Sequence, residues 1–115
     1  MSTLSPALQL NELLQTLTAR AKDLFQEHLH SVILYGSYAR GDFDEESDVD
    51  ILLLVDLDEA TLQSFRAHID RLCGDLLYDY GFVVSITEKN IDTYNRYRNI
   101  LPFYQNVSRE GIKIA

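Results

Sequence analysis

One cysteine, Cys73, is all the chain contains, so no intramolecular disulfide can form and nothing calls for an oxidising compartment. Its place in an apolar helical pattern makes it a small buried hydrophobe. Basic residues are also scarce. Ten Lys and Arg against eighteen Asp and Glu leave a net charge of −8, which argues against a broad nucleic-acid-binding face. No apolar run approaches the length of a membrane span, and no basic stretch followed by an apolar core marks a signal peptide. The expectation is therefore a cytoplasmic protein with neither membrane nor nucleic acid among its partners. Neither a cysteine nor the third histidine clusters with His28 and His30 in the sequence, which argues against a zinc site. Tryptophan, repeats, low-complexity tracts and linkers are absent. What remains is an ordinary globular composition, 46% hydrophobic over 115 residues, enough for one core and one domain spanning residues 1–115.

The chain alternates helical and strand-like patterns. Ser5-Pro6 opens a helix, and apolar residues from Leu10 through Leu17 and Leu24 to His28 recur at three- and four-residue steps. Val32 to Tyr35 reads as a strand. A second long helix, capped by Asp58, is expected to run unbroken to about Tyr80, with Gly81 just past its end. Phe82 to Thr87 reads as the third strand, and Glu88 to about Asn99 as a polar helix with Ile91 and Tyr94 inward. Pro102 begins a last short helix, and Gly111 to Ile114 forms an edge strand. This order fits an α/β (α+β) fold: a small mixed sheet of three to four strands, covered by helices on one side.

The most informative stretch is Gly36 to Val55. Ile51 to Val55 is continuously apolar, a buried strand, and Asp48 and Asp50 stand two apart at its head. Alternate side chains of a strand share a face, so the two carboxylates project together. Like charges held side by side gain nothing from folding alone. A hard divalent cation such as magnesium relieves them, because it takes oxygen ligands, usually one or two carboxylates plus substrate phosphates. Gly36 breaks the preceding strand and lets the backbone approach a ligand. Ser37 starts a short helix from about Ser37 to Arg40, where free N–H groups and a hydroxyl suit a phosphate. A plain helix cap would use the same serine oxygen. The intervening acids Asp42, Asp44, Glu45 and Glu46 read as a solvated loop. They do not form a calcium loop, since Ser47 and Leu53 occupy the positions that need glycine and glutamate.

Gly36-Ser37, ten residues, then Asp48-Val49-Asp50 resembles the signature of the minimal nucleotidyltransferases (MNT), relatives of DNA polymerase beta. The likeness is strong over residues 32–55 and weaker at Pro102–Val107 and Arg109–Ile112. It implies a polymerase-beta-like nucleotidyltransferase fold, with Gly36 and Ser37 holding the triphosphate of ATP and with Asp48 and Asp50 as catalytic ligands of magnesium. Active members carry a third carboxylate on a neighbouring strand. Here the matching strand offers Ser85, while Asp79, Glu88 and Asp92 all lie outside its apolar run.

Small members of this kind resemble antitoxins of HEPN/MNT pairs, in which AMP is transferred to a tyrosine of a helical ribonuclease toxin. The resemblance thus implies a protein partner of helical toxin type, and it leaves room for a homo-oligomer. Two readings follow: an enzyme adenylylating a protein hydroxyl, or a catalytically lapsed domain that neutralises or scaffolds its partner by contact. An antibiotic-modifying enzyme fits less well, because no second domain is left to hold the drug. Tyr94, Arg96, Tyr97 and Arg98 form the one local concentration of cations and rings, which reads as a solvated helix face or as a surface for a base or partner.

Overall fold

The computed structural model describes residues 5–115. Helix α1, Pro6–Phe25, begins as its sequence dictates: the Ser5 hydroxyl accepts a hydrogen bond from the Leu8 N–H at 3.3 Å, and proline fills the first turn. Leu13, Leu14, Leu17, Ala21 and Phe25 form its buried face. The helix stops earlier than periodicity suggests, because Gln26 turns left-handed at φ 54°. His28 therefore lies in a single 3-10 turn, Gln26–His28, with Nδ1 2.7 Å from a carboxylate oxygen of Asp56.

The strands are β1, Leu29–Tyr35; β2, Val49–Val55; β3, Val84–Asn90; and β4, Ile112–Lys113. They form one mixed sheet in the order β3-β2-β1-β4, with β1 antiparallel to both β2 and β4, and β2 parallel to β3. Beyond β4 the chain stays against β1, where the Ile114 N–H donates to the Val32 carbonyl at 2.7 Å and the Val32 N–H to the Ala115 carbonyl at 3.0 Å. A short helix α2, Ser37–Arg40, follows β1.

The second long helix is divided. Asp58 caps α3, Glu59–Gln63, through its carboxylate and the Thr61 N–H at 2.8 Å, but the chain turns at Ser64–Phe65 before α4, Arg66–Tyr80. At the break the Ser64 hydroxyl bonds back to the Thr61 carbonyl, and the Phe65 ring packs 4.7 Å from that of Phe25. Burying that ring fixes the corner. Strand β3 is also displaced from the expected Phe82–Thr87, because Val84 to Asn90 pair residue for residue with Val49 to Val55. Its polar half is accommodated by partners: Arg66 donates to both Glu88 oxygens at 2.8 and 3.0 Å. Asn90 then caps α5, Ile91–Tyr97, in which Tyr94 is buried, leaving Arg96 and Arg98 exposed. Cys73 is half-buried rather than fully enclosed.

Helices cover both faces of the sheet, not one. Ile51, Leu53 and Val55 pack with α1 and α4, whereas Leu52 and Leu54 pack on the other side against Tyr94 of α5 and against Tyr104 and Val107 of α6, Pro102–Glu110. The uninterrupted Ile51–Val55 run is the sequence mark of a strand buried on both faces. No helix among the described residues is long and apolar enough to cross a membrane.

Candidate functional site

Asp48 is the residue immediately before β2 and Asp50 is the second residue within it, separated by the fully buried Val49. Alternation turns Val49 into the α1 and α4 core and sends both carboxylates to the opposite face. Asp48 is exposed and Asp50 half-buried. Burial pushes the Asp50 carboxyl above its ordinary range, the charge of Asp48 pushes the same way, and Arg40 partly opposes them. The two acids therefore repel each other, and they do so where the sheet opens.

Across the strand boundary, Gly36 has φ 75° and ψ −156°, a conformation that L side chains rarely adopt. It also lies hard against the acid. A Cβ built at Gly36 would overlap Oδ2 of Asp50 and lie 3.2 Å from its Cγ. Gly36, rather than Ser37, is the N-cap of α2, and it has no side chain to close the first turn. The Gly36 carbonyl accepts from the Ala39 and Arg40 N–H groups at 3.1 and 3.0 Å. The backbone turn thus brings Gly36 against Asp50, with Ser37 following it as the first residue of α2.

The loop between them is organised by its own acids. Asp44 accepts from the Glu46 N–H at 2.9 Å and from the Ser47 hydroxyl at 3.2 Å, and Asp42 pairs with Arg40 at 3.2 Å. Tyr38 stacks on Phe43 at 4.3 Å and meets Phe82 edge-on at 6.1 Å, tying α2 and the loop to the segment that leads into β3. These acids hold the loop together and stand apart from the Asp48–Asp50 pair.

Register decides which residue flanks Asp50. Tyr35 lies beside it on β1 and Ser85 beside it on β3. A serine thus occupies the neighbouring-strand position. Glu88 pairs in register with Leu53, on the other face, and is held by Arg66. Among the described residues no group of three Asp, Glu, His or Cys side chains comes together as a metal site. Neither Glu88, Asp79 nor Asp92 completes the pair. Two carboxylates with an open side still suit magnesium, whose remaining ligands come from phosphates and water.

Two further features were not visible in the sequence. Tyr35 is half-buried; its phenol is pushed above its usual pKa by burial, while the neighbouring Thr87 side chain works against that rise. The Arg40 guanidinium also reaches Glu110 of α6 at 3.3 Å, so the C-terminal helix closes one side of the site. Between them lies a cleft of about 190 Å³ bordered by Tyr35, Gly36, Arg40, Phe103 and Asn106. Tyr35 directly precedes the glycine and sits opposite Asp50, a signal that counting along paired strands could have found.

Comparison with known proteins places this geometry. The nucleotidyltransferase domain model matches residues 14–113. Two relatives come from Methanocaldococcus jannaschii, each named "putative protein adenylyltransferase". One is 40% identical over 90 residues, covering 78% of this chain and 82% of the relative. The other is 46% identical over 109 residues, covering 93% and 100%. A solved complex of a tri-AMPylated Shewanella oneidensis HEPN toxin with an MNT antitoxin shares the fold, with a TM-score of 0.52 and 18% identity over 91% of this chain and 71% of that one. With the paired acids, the glycine turn and the mixed sheet all in place, the chain belongs to the nucleotidyltransferase domain family.

Proposed function

We propose that this chain is a magnesium-dependent nucleotidyltransferase that moves AMP from ATP to a hydroxyl group of a protein, acting as the antitoxin of a toxin–antitoxin pair. The observation that carries the reading is the placement of Asp48 and Asp50 side by side against the Gly36–Ser37 turn, with Gly36 leaving no room for a side chain beside Asp50. Asp48 and Asp50 would hold the metal, which when bound supplies charge neutralisation for the triphosphate and the developing negative charge. The Ser37 hydroxyl and the turn's backbone would hold the phosphates, and Arg40 adds positive charge at the same end. In the reaction the acceptor oxygen bonds to the α-phosphorus, the bond from that phosphorus to the bridging oxygen breaks, pyrophosphate leaves, and the acceptor's proton passes to water. The names of the relatives favour adenylyl transfer to protein, and the fold shared with a toxin–antitoxin complex favours such a partner.

A second reading rests on Ser85. With serine rather than an acid beside Asp50, a domain that binds nucleotide and partner without turnover has a specific structural basis. Label transfer from α-phosphate-labelled ATP separates the two. The enzyme labels a protein in the presence of magnesium, and the Asp48→Ala/Asp50→Ala variant does not. Nucleotide binding without label on any protein, with a co-purified partner present, would establish the contact-only domain and refute the enzyme.

A further inference from the structure

The corner between α5 and α6 exposes apolar side chains that its own folding does not require. Ile100 is 64% exposed, Leu101 42% and Phe103 37%. The turn itself is closed by backbone bonds. The Ile100 and Leu101 N–H groups donate to the Tyr97 carbonyl at 2.9 and 3.0 Å, and the Leu101 carbonyl accepts from the Gln105 N–H at 2.9 Å. The Gln105 side chain adds a bond to the Asn99 carbonyl at 3.0 Å. Polar residues would close such a turn equally well. An exposed apolar cluster rimmed by polar groups marks a surface that meets another molecule.

The rim is cationic. Residues 93–109 hold three arginines and no acid, within a chain of net charge −8. Arg98 and Arg109 border one cleft of about 260 Å³, together with Asn99, Gln105 and Ser108. Among the described residues neither guanidinium pairs with a carboxylate, whereas Arg20, Arg40 and Arg66 each do. Arg109 rests instead on the neutral side chain of Asn106, at 2.7 Å. Uncompensated cations beside an apolar cluster call for an apolar surface rimmed by carboxylates. A nucleic acid would gain nothing from Ile100 and Leu101, and an anionic membrane would meet the repulsion of the remaining acidic surface. The shape favours a helix. Leu101, Gln105 and Arg109 recur at four-residue steps along one face of α6, two turns or roughly 12 Å. That face offers no free backbone groups for a strand to join, and a helix needs none. Phe103, Asn106 and Glu110 lie on the adjoining face, where they border the cleft beside Gly36 and Arg40.

We infer that this corner is the docking surface for an acidic amphipathic helix of a partner protein. The helix sets its apolar side chains on Ile100, Leu101 and Phe103 and its carboxylates over Arg98 and Arg109. This rests on the proposed protein partner and not on the transfer reaction, because the enzyme and the contact-only domain share the same surface. The docked helix lies along α6, one face away from the carboxylate site. It therefore holds its protein near Asp48 and Asp50 while leaving the cleft beside Gly36 open.

The test uses the full chain, isotope-labelled for NMR, and a helical peptide with leucine at three- and four-residue steps, glutamate on both flanks and alanine elsewhere. Amide shifts are expected over residues 97–109. Binding should be at least tenfold tighter than for the same peptide carrying lysine for glutamate, or serine for leucine. Arg98→Glu/Arg109→Glu should reverse the charge preference, and Ile100→Ser/Leu101→Ser should weaken the glutamate peptide at least tenfold. All four side chains are exposed, and an unchanged circular dichroism spectrum checks that each variant folds. Equal binding of the glutamate and lysine peptides, shifts centred elsewhere, no binding, or undiminished binding by either variant overturns the surface. Co-sedimentation with anionic phospholipid vesicles without peptide binding assigns the corner to a membrane instead. A dimer lost in Ile100→Ser/Leu101→Ser assigns it to a second copy, and either result overturns the acidic helix. Transfer from α-phosphate-labelled ATP is read separately. Label on a protein without peptide docking leaves the reaction standing and removes the surface, and docking without label does the reverse.

Discussion

The glycine at position 36 shapes the carboxylate beside it more directly than any hydrogen bond does. Alanine there would carry a left-handed backbone, at roughly 1–2 kcal/mol, and would also push a methyl into Oδ2 of Asp50. Gly36→Ala is therefore expected to destabilise the fold by about 2 kcal/mol or more in urea unfolding, and to abolish nucleotide binding in calorimetry. Asp50 makes the opposite point. Its carboxyl titrates above the unfolded value because of burial and Asp48, so the native state binds its proton more tightly than the unfolded chain does. Without metal, stability should fall as pH rises from the ordinary carboxylate value through the raised one. Asp50→Asn should then melt higher than the natural chain at neutral pH, and the advantage should vanish in acid. A lower melting temperature for the variant at pH 7 would contradict that account. The pairing of the two acids was legible from their spacing, since strand alternation alone requires it. The contact between Gly36 and Asp50 was not, because it depends on how β1 and β2 align.

Elements obeyed local signals at their ends more faithfully than along their lengths. Ser5, Asp58 and Asn90 all cap as their chemistry demands, and Pro6 and Pro102 open helices. Asn90 does more than cap: its Oδ1 accepts from the Asp92 and Thr93 N–H groups at 2.8 and 3.1 Å, and its Nδ2 donates to the Leu57 carbonyl at 2.9 Å. Asn90→Ala is expected to cost about 1–2 kcal/mol, measured as a shift in urea midpoint at unchanged slope. The break between α3 and α4 escaped prediction because Ser64 and Phe65 are tolerable helix residues, and only the ring of Phe25 rewards the turn. The length of β3 escaped it because Glu88 to Asn90 read as the start of a polar helix until Arg66 and the β2 backbone provide partners.

For the molecule as a whole, the net charge of −8 concentrates repulsion that bound cations reduce. Magnesium with ATP should raise the melting temperature, by roughly 2.7 kcal/mol of stabilisation at a hundredfold excess over Kd, or several degrees. Asp48→Ala/Asp50→Ala should show no such rise in a thermal shift assay. Fold class was legible from the order of patterns along the chain. The two-sided covering of the sheet was foreshadowed by the Ile51–Val55 run, but it became definite only once Tyr94, Tyr104 and Val107 were seen over Leu52 and Leu54.

The mixed sheet also fixes an order of assembly. Antiparallel β1 and β2 are joined by the short stretch that contains Gly36, Ser37 and Asp48, whereas the parallel partner β3 arrives only after the α3–α4 crossover. Loop-closure entropy grows with the length that must be closed, so the first pairing is the cheaper to nucleate. The Gly36–Ser37 turn and both carboxylates therefore belong to the early-forming part of the chain, and Ser85 with its strand to the late one. In pulse-labelled refolding, the amides of β1 and β2 should gain protection before those of β3. The two halves of the site would then have separate folding histories, and substitutions in β3 should act mainly on unfolding rates.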